Sequence, residues 1–345
     1  MTLQVLAKDK LGDFVCGLLT EFEVAGPVPK ENRHTFAPIS SPDELALDYV
    51  TTVLPPKKFL LPQHEPLLTF SVGDQVRVEP VIEATPRVLF GVHTCDLRGI
   101  AQLDRAMLET HRDQHYAARR EATALIGLDD MPDEQCFCGS IGSATHQGRC
   151  DVFLTPVGDE YVVEAVTEMG AQLLSQHAET KPAQSAHVAG IREHLDRKLA
   201  AQEARLNGHV SGLPLLLDAA WNSAVWKKWS EEKCWSCARC NLVCPTCFCF
   251  DVYDRVELTL TDGRRERVWD ACMSPEFALV ASGENFRDEK VERLRHRFYR
   301  KFHYLYTKQG EPYCTGCGRC GRACVPGITI TNVLNDLFAE SGEEA

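Results

Sequence analysis

Hydrophobic positions in the N-terminal half alternate between helix-like and strand-like spacing. Between residues 11 and 22 apolar side chains recur every three or four positions, which predicts one amphipathic helix packed on a core. Short apolar stretches at residues 24–29 and 34–39, on either side of a polar turn, predict two strands. The stretches 88–92 and 122–128 are short and apolar throughout, so they predict buried strands.

A strand, a polar turn and a helix follow one another in the middle of this half. The strand at residues 88–92 is followed by His-Thr-Cys-Asp at 93–96, and a helical pattern covers residues 97–108. The carboxyl end of such a strand is where α/β sheets place ligands. A hairpin around a Gly-Asp turn is predicted at residues 152–166. We therefore expect residues 1–180 to form an α/β domain with a mixed sheet.

The C-terminal half is predicted to be mainly helical. Residues 181–230 are expected to form a helical connection and residues 231–335 a mainly α-helical domain, with an inserted hairpin at about 251–272. A basic, aromatic helix is predicted at 291–307. Its cationic side chains are expected on an ordinary solvated face, with docking to an acidic partner as the alternative. They are Arg293, Arg295, Arg297, Arg300 and Lys301.

Two copies of one cysteine spacing, C-x2-C-x2-C-x3-C, lie in this helical domain. The first run is Cys234, Cys237, Cys240 and Cys244, and the second is Cys314, Cys317, Cys320 and Cys324. This spacing is typical of two-cluster ferredoxins, in which the fourth cysteine of a run ligates the other cluster. One [4Fe-4S] cluster is therefore expected on Cys234, Cys237, Cys240 and Cys324. The other is expected on Cys314, Cys317, Cys320 and Cys244, which makes the domain ferredoxin-like.

Zinc binding and disulfide formation are the alternatives for these eight cysteines. Structural zinc sites use about four ligands, commonly from two C-x2-C pairs, and do not require four cysteines in one run. Disulfides require an oxidising compartment and give no reason for the same spacing to occur twice. Two [4Fe-4S] clusters are the favoured interpretation.

The other cysteines include a candidate third site. Cys95, Cys136 and Cys138 are expected in loops, where they could bind a third iron–sulfur cluster or a metal. Cys150, His93 or His146 would then be the fourth ligand. The alternative is that these are buried, inert thiols.

A second group, Cys247, Cys249 and Cys272, follows the first run. We expect these cysteines to line a cluster rather than to ligate another one. Asp96 is expected to be a helix N-cap. Arg239 and Arg319 lie inside the runs and are expected to be mostly solvated, although a cation near a cluster raises its reduction potential.

Net charge, apolar stretches and cysteine content exclude several classes of function. A net charge of -12 argues against nucleic acid as a partner, because phosphate binding requires a basic surface. Residues 1–20 show no signal-peptide pattern, and no apolar stretch is long enough to span a bilayer. Half of the sixteen cysteines lie in the two runs, which indicates a reducing interior. A cytoplasmic protein without a membrane partner is expected. We find no dinucleotide-binding fingerprint, P-loop or catalytic residue constellation.

Several segments together resemble a known family. They are residues 232–249, Trp269-Asp-Ala-Cys-Met273 and 314–324 in the second half, with 55–63, 91–97 and Cys136-Phe-Cys138 in the first. They resemble the iron–sulfur beta subunit of cytoplasmic group 3 nickel–iron hydrogenases, the sulfhydrogenases. They are also similar to the A subunit of anaerobic sulfite reductase. The likeness covers residues 45–330.

The resemblance implies an electron-transfer subunit rather than a catalyst. Electrons would pass between a partner subunit that binds FAD and NAD(P) and the small and large subunits of a nickel–iron hydrogenase. The equivalent subunit of a sulfite or sulfur reductase is one alternative. A reductase acting on thiols or disulfides, with Cys95, Cys136 or Cys138 as the reactive centre, is another.

Overall fold

Two β-sheets and a group of helices make up the computed structural model, which describes residues 3–73, 75–202 and 205–342. The strands are β1 (Leu3–Ala7), β2 (Glu23–Lys30), β3 (Arg33–Pro38), β4 (His64–Val72), β5 (Val76–Pro80), β6 (Arg87–Val92), β7 (Thr123–Leu128), β8 (Val152–Val157), β9 (Glu160–Ala165), β10 (Lys181–Pro182), β11 (Phe250–Val256) and β12 (Asp262–Trp269). The α-helices are α1 (Leu11–Leu19), α2 (Thr94–Asp104), α3 (Gln114–Glu121), α4 (Cys138–Ile141), α5 (Glu168–His177), α6 (Ser185–Ala200), α7 (Leu213–Ala219), α8 (Ala224–Glu231), α9 (Arg239–Leu242), α10 (Lys290–Tyr299), α11 (Leu305–Gln309), α12 (Arg319–Arg322) and α13 (Ile330–Ser341).

The larger sheet has the strand order β10-β1-β9-β8-β7-β6-β2-β3. The pairs β2–β6, β6–β7 and β7–β8 are parallel, and the outer pairs are antiparallel. β6 and β7 are buried along their whole length, as their apolar sequences predict. Val88 and Phe90 pack with α1 and α5, whereas Leu89 packs with α2 and α3 on the other face. The prediction of an N-terminal α/β region with a mixed sheet is confirmed.

Helix α2 begins earlier than its sequence pattern predicts. It starts at Thr94 directly after β6, so Cys95 and Asp96 lie buried in its first turn rather than in a polar loop. The N-cap residue is His93, whose side chain makes no capping hydrogen bond. The prediction that Asp96 caps the helix is wrong, because Asp96 lies inside the helix and forms an ion pair with Arg319.

The smaller sheet joins strands from both halves of the chain in the order β11-β12-β4-β5. β12 pairs antiparallel with β4, and the buried Arg267 of β12 donates to Glu65 of β4 at 2.8 Å. The Asp262-Gly263 dipeptide of the inserted hairpin predicts its turn, but the turn lies earlier, at residues 257–261, because Asp262 and Gly263 already belong to β12. The hairpin between the two cysteine runs is thus fastened to the N-terminal half, and the domain boundaries stay predictions.

Helices α7, α8, α10 and α13 pack around Trp226 and Phe298 in the C-terminal half. After α10 the helix continues through a π-helical segment, Arg300–Tyr304, into α11. The third cysteine of each run lies within a short helix, Cys240 in α9 and Cys320 in α12, and the fourth follows two residues after that helix ends; the two helices lie in contact. Within the described residues, no helix has the length and apolar character needed to cross a membrane.

Candidate iron–sulfur centres

The two cysteine runs have the same backbone conformation. Ser236 and Ala238 of the first run have φ angles of 55° and 61°, and the equivalent Gly316 and Gly318 of the second run have 66° and 68°. The four-residue helix α9 follows Ala238, and α12 follows Gly318. Two left-handed residues among the first three cysteines bend the chain sharply. Each run is therefore a tight loop that ends in one helical turn.

The first group of cysteines lines one cavity, and its members are Cys234, Cys237, Cys240 and Cys324. Cys324 comes from the second run, so the fold carries a fourth cysteine across to the first loop. The backbone N–H groups of Ser236 and Ile328 donate to the sulfurs of Cys234 and Cys324, each at 3.3 Å. Hydrogen bonds to cluster sulfurs tune reduction potential. Cys237 is exposed, so this first site opens toward solvent.

The second group consists of Cys244, Cys314, Cys317 and Cys320, and all but Cys320 are buried. Burial raises the pKa of Cys314 to about 12; Lys301 opposes this shift, whereas nearby Cys320 and Cys244 add to it. Burial also raises the pKa of Cys317, and the same two cysteines contribute to that shift. Cys244 of the first run therefore lies with three cysteines of the second, and this group is the second site.

Lys301 is a buried cation at the second site. Its Nζ donates to Cys244 Sγ at 3.2 Å, to Thr246 Oγ1 at 2.8 Å and to the Tyr313 carbonyl oxygen at 3.1 Å. Burial would lower the pKa of Lys301, but the thiolates of Cys244 and Cys247 raise it overall. The charge on this amine is therefore balanced by sulfur.

Arg297 is a second buried cation, and it lines the cavity of the first site. Its side chain is 4% exposed, and its Nε atom has no hydrogen-bond partner within the described part of the chain. Burial would lower the pKa of Arg297, but the thiolates of Cys240 and Cys320 raise it well above its usual value. A buried charge is costly unless an opposite charge accompanies it. Iron–sulfur clusters ligated by cysteine would supply this negative charge, so the residues present fit such clusters.

The second run packs closely against residues 135–138 of the N-terminal half. A Cβ atom on Gly316 would lie 2.6 Å from the backbone nitrogen of Cys138, and one on Gly318 would lie 2.6 Å from the carbonyl oxygen of Gln135. The Phe137 N–H also donates to the Gly316 carbonyl oxygen at 2.8 Å. Glycine is required at both positions because the neighbouring backbone leaves no room for a side chain.

Arg319 connects the second run to helix α2 and to Thr52 of the N-terminal half. Its guanidinium makes two hydrogen bonds of 2.6 Å to the Asp96 carboxylate, and its Nε donates to the Thr52 carbonyl oxygen at 2.8 Å. Both charged side chains are buried, so the expectation that Arg319 is solvated is wrong. Arg239 at the same position of the first run is exposed, as expected. The second run thus covers the carboxyl end of β6, the edge where α/β sheets bind ligands.

Cys95, Cys136 and Cys138, the candidate third site, all lie beside the second run. Cys136 Sγ is 3.9 Å from the Cys317 carbonyl oxygen, and Cys138 begins α4 instead of lying in a loop. Burial raises the pKa of Cys136 to about 11 and that of Cys138 to about 12. Burial, and then the Asp96 charge, raise the pKa of Cys95. Reactive cysteines instead have lowered pKa values.

The proposed fourth ligands of that third site have other partners. The His93 ring stacks on Tyr49 at 3.9 Å, and its Nδ1 lies 3.6 Å from an Asp130 oxygen. Cys150 Sγ lies 3.9 Å from His146 Nδ1. No three His, Cys, Asp or Glu side chains in the described ranges converge closely enough to hold a single metal ion.

Cys247, Cys249 and Cys272 line a second pocket, which shares Arg297 with the cavity of the first site. Arg300 and Lys301 also line this pocket. The side chain of Asn241 donates to Cys247 Sγ at 3.4 Å and to Cys272 Sγ at 3.2 Å. A hydrogen bond from Cys272 lowers the pKa of Cys249, and one from Cys247 lowers the pKa of Cys244 well below its usual value.

Sequence reasoning missed the role of the basic helix. Arg293, Arg297 and Lys301 are all buried, so the expected solvated face is wrong for them. These residues are spaced by four, which places them on one helical face. Leu294 and Phe298 follow the first two directly and are buried in the helical core. The basic residues directly precede apolar residues that face the core, and this pattern in the sequence could have indicated that the cations are buried.

Comparisons with known proteins agree with this geometry. Residues 233–328 match the family model of a 4Fe-4S dicluster domain. The chain is 35% identical over 315 residues to the sulfhydrogenase 2 subunit beta of Pyrococcus furiosus, and the alignment covers 91% of this chain and 92% of that protein. An identity of this extent, together with the matched dicluster domain, is sufficient to assign the whole chain to a protein family. It belongs to the family of sulfhydrogenase beta subunits.

Proposed function

We propose that this protein is the electron-transfer iron–sulfur subunit of a hydrogenase complex. The observation that carries the proposal is the crossing of the fourth cysteines: Cys324 lines a cavity with the first run, and Cys244 is buried with the second. This exchange is the ligand pattern of two-cluster ferredoxins. The 35% identity to a sulfhydrogenase beta subunit supports the choice of a hydrogenase.

Each site would hold one [4Fe-4S] cluster. Cys234, Cys237, Cys240 and Cys324 are the proposed ligands of the first, and Cys314, Cys317, Cys320 and Cys244 those of the second. Such clusters supply one-electron carriers whose potential depends on charge, hydrogen bonds and solvent exposure. The residues of this chain supply thiolates, two buried cations and backbone N–H donors. We also infer that residues 231–335 form a helical ferredoxin-like unit, joined through 181–230 to the α/β domain of residues 1–180.

The partners would be a subunit with FAD and NAD(P) and the small and large subunits of a nickel–iron hydrogenase. The first site is the proposed point of contact with one of them. Cys237 is exposed there and the neighbouring Trp235 is 63% exposed, whereas the second site is covered by the N-terminal half. Electron transfer requires close approach, so the open site is the suitable one.

The test uses the complex purified anaerobically with its partner subunits. We expect hydrogen-dependent reduction of NAD(P) by the native complex, and near-complete loss of that activity in Cys240→Ser and Cys320→Ser variants. Cys16→Ser is the matched control, because Cys16 is exposed on α1, away from both runs. Colourless native protein, or unchanged throughput in both cluster variants, would overturn the proposal.

The same preparation distinguishes the alternatives. Sulfite-dependent oxidation of NAD(P)H without hydrogen activity would assign the chain to a sulfite reductase instead. A thiol reductase is disfavoured because burial keeps Cys95, Cys136 and Cys138 protonated near neutral pH. Turnover of a disulfide substrate by the isolated chain, abolished by alkylation, would revive that alternative.

A further inference from the structure

The pocket between the two cysteine runs contains three cysteines that the two proposed clusters do not use. Cys247 and Cys249 follow the first run at once, and Cys272 comes from the end of the inserted hairpin. The fold brings them together: the sulfurs of Cys247 and Cys272 lie within 3.4 Å of one amide nitrogen, that of Asn241. Cys249 lines the same pocket as these two cysteines.

The charge around this pocket is strongly positive. Arg297, Arg300 and Lys301 line it together with the three cysteines. Arg297 is 4% exposed, and its Nε has no hydrogen-bond partner within the described ranges. Lys57, 2% exposed, approaches from the N-terminal half and donates to the Cys247 carbonyl oxygen. Arg297 and Lys301 also face the first and second sites, whereas Arg300 and Lys57 are further cations next to the three thiols, and cations withdrawn from water need negative charge nearby.

We propose that Cys247, Cys249 and Cys272 ligate a third iron–sulfur cluster in this pocket, between the two cysteine runs. The proposal rests on the proposed electron-transfer function and extends it. Thiolates bound to a polynuclear cluster attach to separate iron atoms, so they need to surround a volume rather than converge on one point. The cationic wall balances their negative charge, and the Asn241 amide donates to two of the ligating sulfurs.

The location gives this cluster contact with both other sites. Arg297 lines this pocket and also the cavity of the first site. Lys301 also lines this pocket, and its Nζ donates to Cys244 Sγ of the second site at 3.2 Å. The Lys57 amine, which donates to the Cys247 carbonyl oxygen, lies 4.3 Å from the centre of the Trp269 ring at the end of β12. The third cluster would therefore lie next to both proposed clusters.

The experiment measures iron and acid-labile sulfide in the full chain after anaerobic reconstitution with ferrous iron and sulfide. Two clusters give about 8 iron atoms per chain, and a third raises the content to about 11–12. We expect the higher value in the native chain and about 8 in the double variant Cys249→Ser/Cys272→Ser, with the signals of the other two clusters retained. The matched control is Cys136→Ser/Cys138→Ser, which should keep the native iron content.

Three results would overturn the proposal. They are about 8 iron atoms in the native chain, an unchanged iron content in Cys249→Ser/Cys272→Ser, and loss of the extra iron in Cys136→Ser/Cys138→Ser instead. A Cys249–Cys272 disulfide in the reconstituted native chain, found by peptide mapping, would also overturn it. The iron content of the native chain tests the proposal even if the double variant does not fold. Native protein with no cluster at all would instead contradict the proposed function itself.

Discussion

The two cysteine runs share a backbone conformation and differ in almost everything that surrounds it. After the first cysteine of each run stands Trp235 in one and Thr315 in the other, 63% and 1% exposed respectively. The left-handed positions are Ser236 and Ala238 in the first run, and both are glycine in the second. The spacing of the cysteines thus defines the loop that would hold a cluster. Packing of that loop against the rest of the chain determines its solvent exposure and the charge of its surroundings.

This difference has consequences for reduction potential. A reduced cluster carries more negative charge than an oxidised one. Solvent and nearby cations stabilise the reduced state and raise the reduction potential, whereas burial without cations lowers it. The first site has solvent access, whereas the second relies on the buried Lys301 and Arg319. We expect substitutions at equivalent positions of the two runs to have unequal effects, and matched pairs of variants measure this directly.

The largest effect is expected for the arginine inside each run. Arg319→Met leaves the Asp96 carboxylate buried without its partner, which should lower the free energy of unfolding by about 3–5 kcal/mol. Arg239→Met, at the exposed equivalent position, should change it by less than about 0.5 kcal/mol. Anaerobic denaturant unfolding of the reconstituted chain measures both. Equal losses would show that the Asp96 pair does not distinguish the runs.

A smaller effect is expected at the second left-handed position. Gly318→Ala places a Cβ 2.6 Å from the Gln135 carbonyl oxygen and should cost about 1–3 kcal/mol through overpacking. The reciprocal change, Ala238→Gly, relieves a left-handed alanine and should leave the free energy of unfolding within about 1 kcal/mol of the native value. The same unfolding measurement applies, and a tolerated Gly318→Ala would refute close packing of residues 135–138.

The smallest effect is expected on reduction potential. Lys301→Met removes a cation beside Cys244 and should lower the midpoint potential of the second cluster by on the order of 50–100 mV. Lys301→Arg keeps the charge and should restore most of the shift. Lys308→Met is the control, since Lys308 is exposed on α11. Redox titration followed by EPR separates the two causes, because loss of charge alters only Lys301→Met, whereas loss of structure at this position would also alter Lys301→Arg.

The sequence predicted the elements that depend on local pattern. Strands β6 and β7 follow from uninterrupted apolar stretches, and α1 follows from its amphipathic stripe. The two cysteine runs are also local, because each loop is defined by residues within eleven positions of one another. Local spacing and periodicity are sufficient for such features.

Contacts between distant segments were beyond sequence reasoning. Arg319 looks like any solvated arginine, and its partner Asp96 looks like a helix cap, until the fold places them together across 223 residues. The burial of the basic helix face could not be predicted for the same reason. Arg297 is buried only because distant segments pack around it. Burial of charge is decided by tertiary packing, on which a single sequence carries no direct information.

The pairing of β4 with β12 limits when this part of the protein can fold during synthesis. Glu65 and Arg267 are 202 residues apart, so their ion pair forms only when most of the chain has left the ribosome. Contacts of such long range are made late and slowly. Iron and sulfide would thus be delivered to cysteines whose platform, the larger sheet, has already been synthesised.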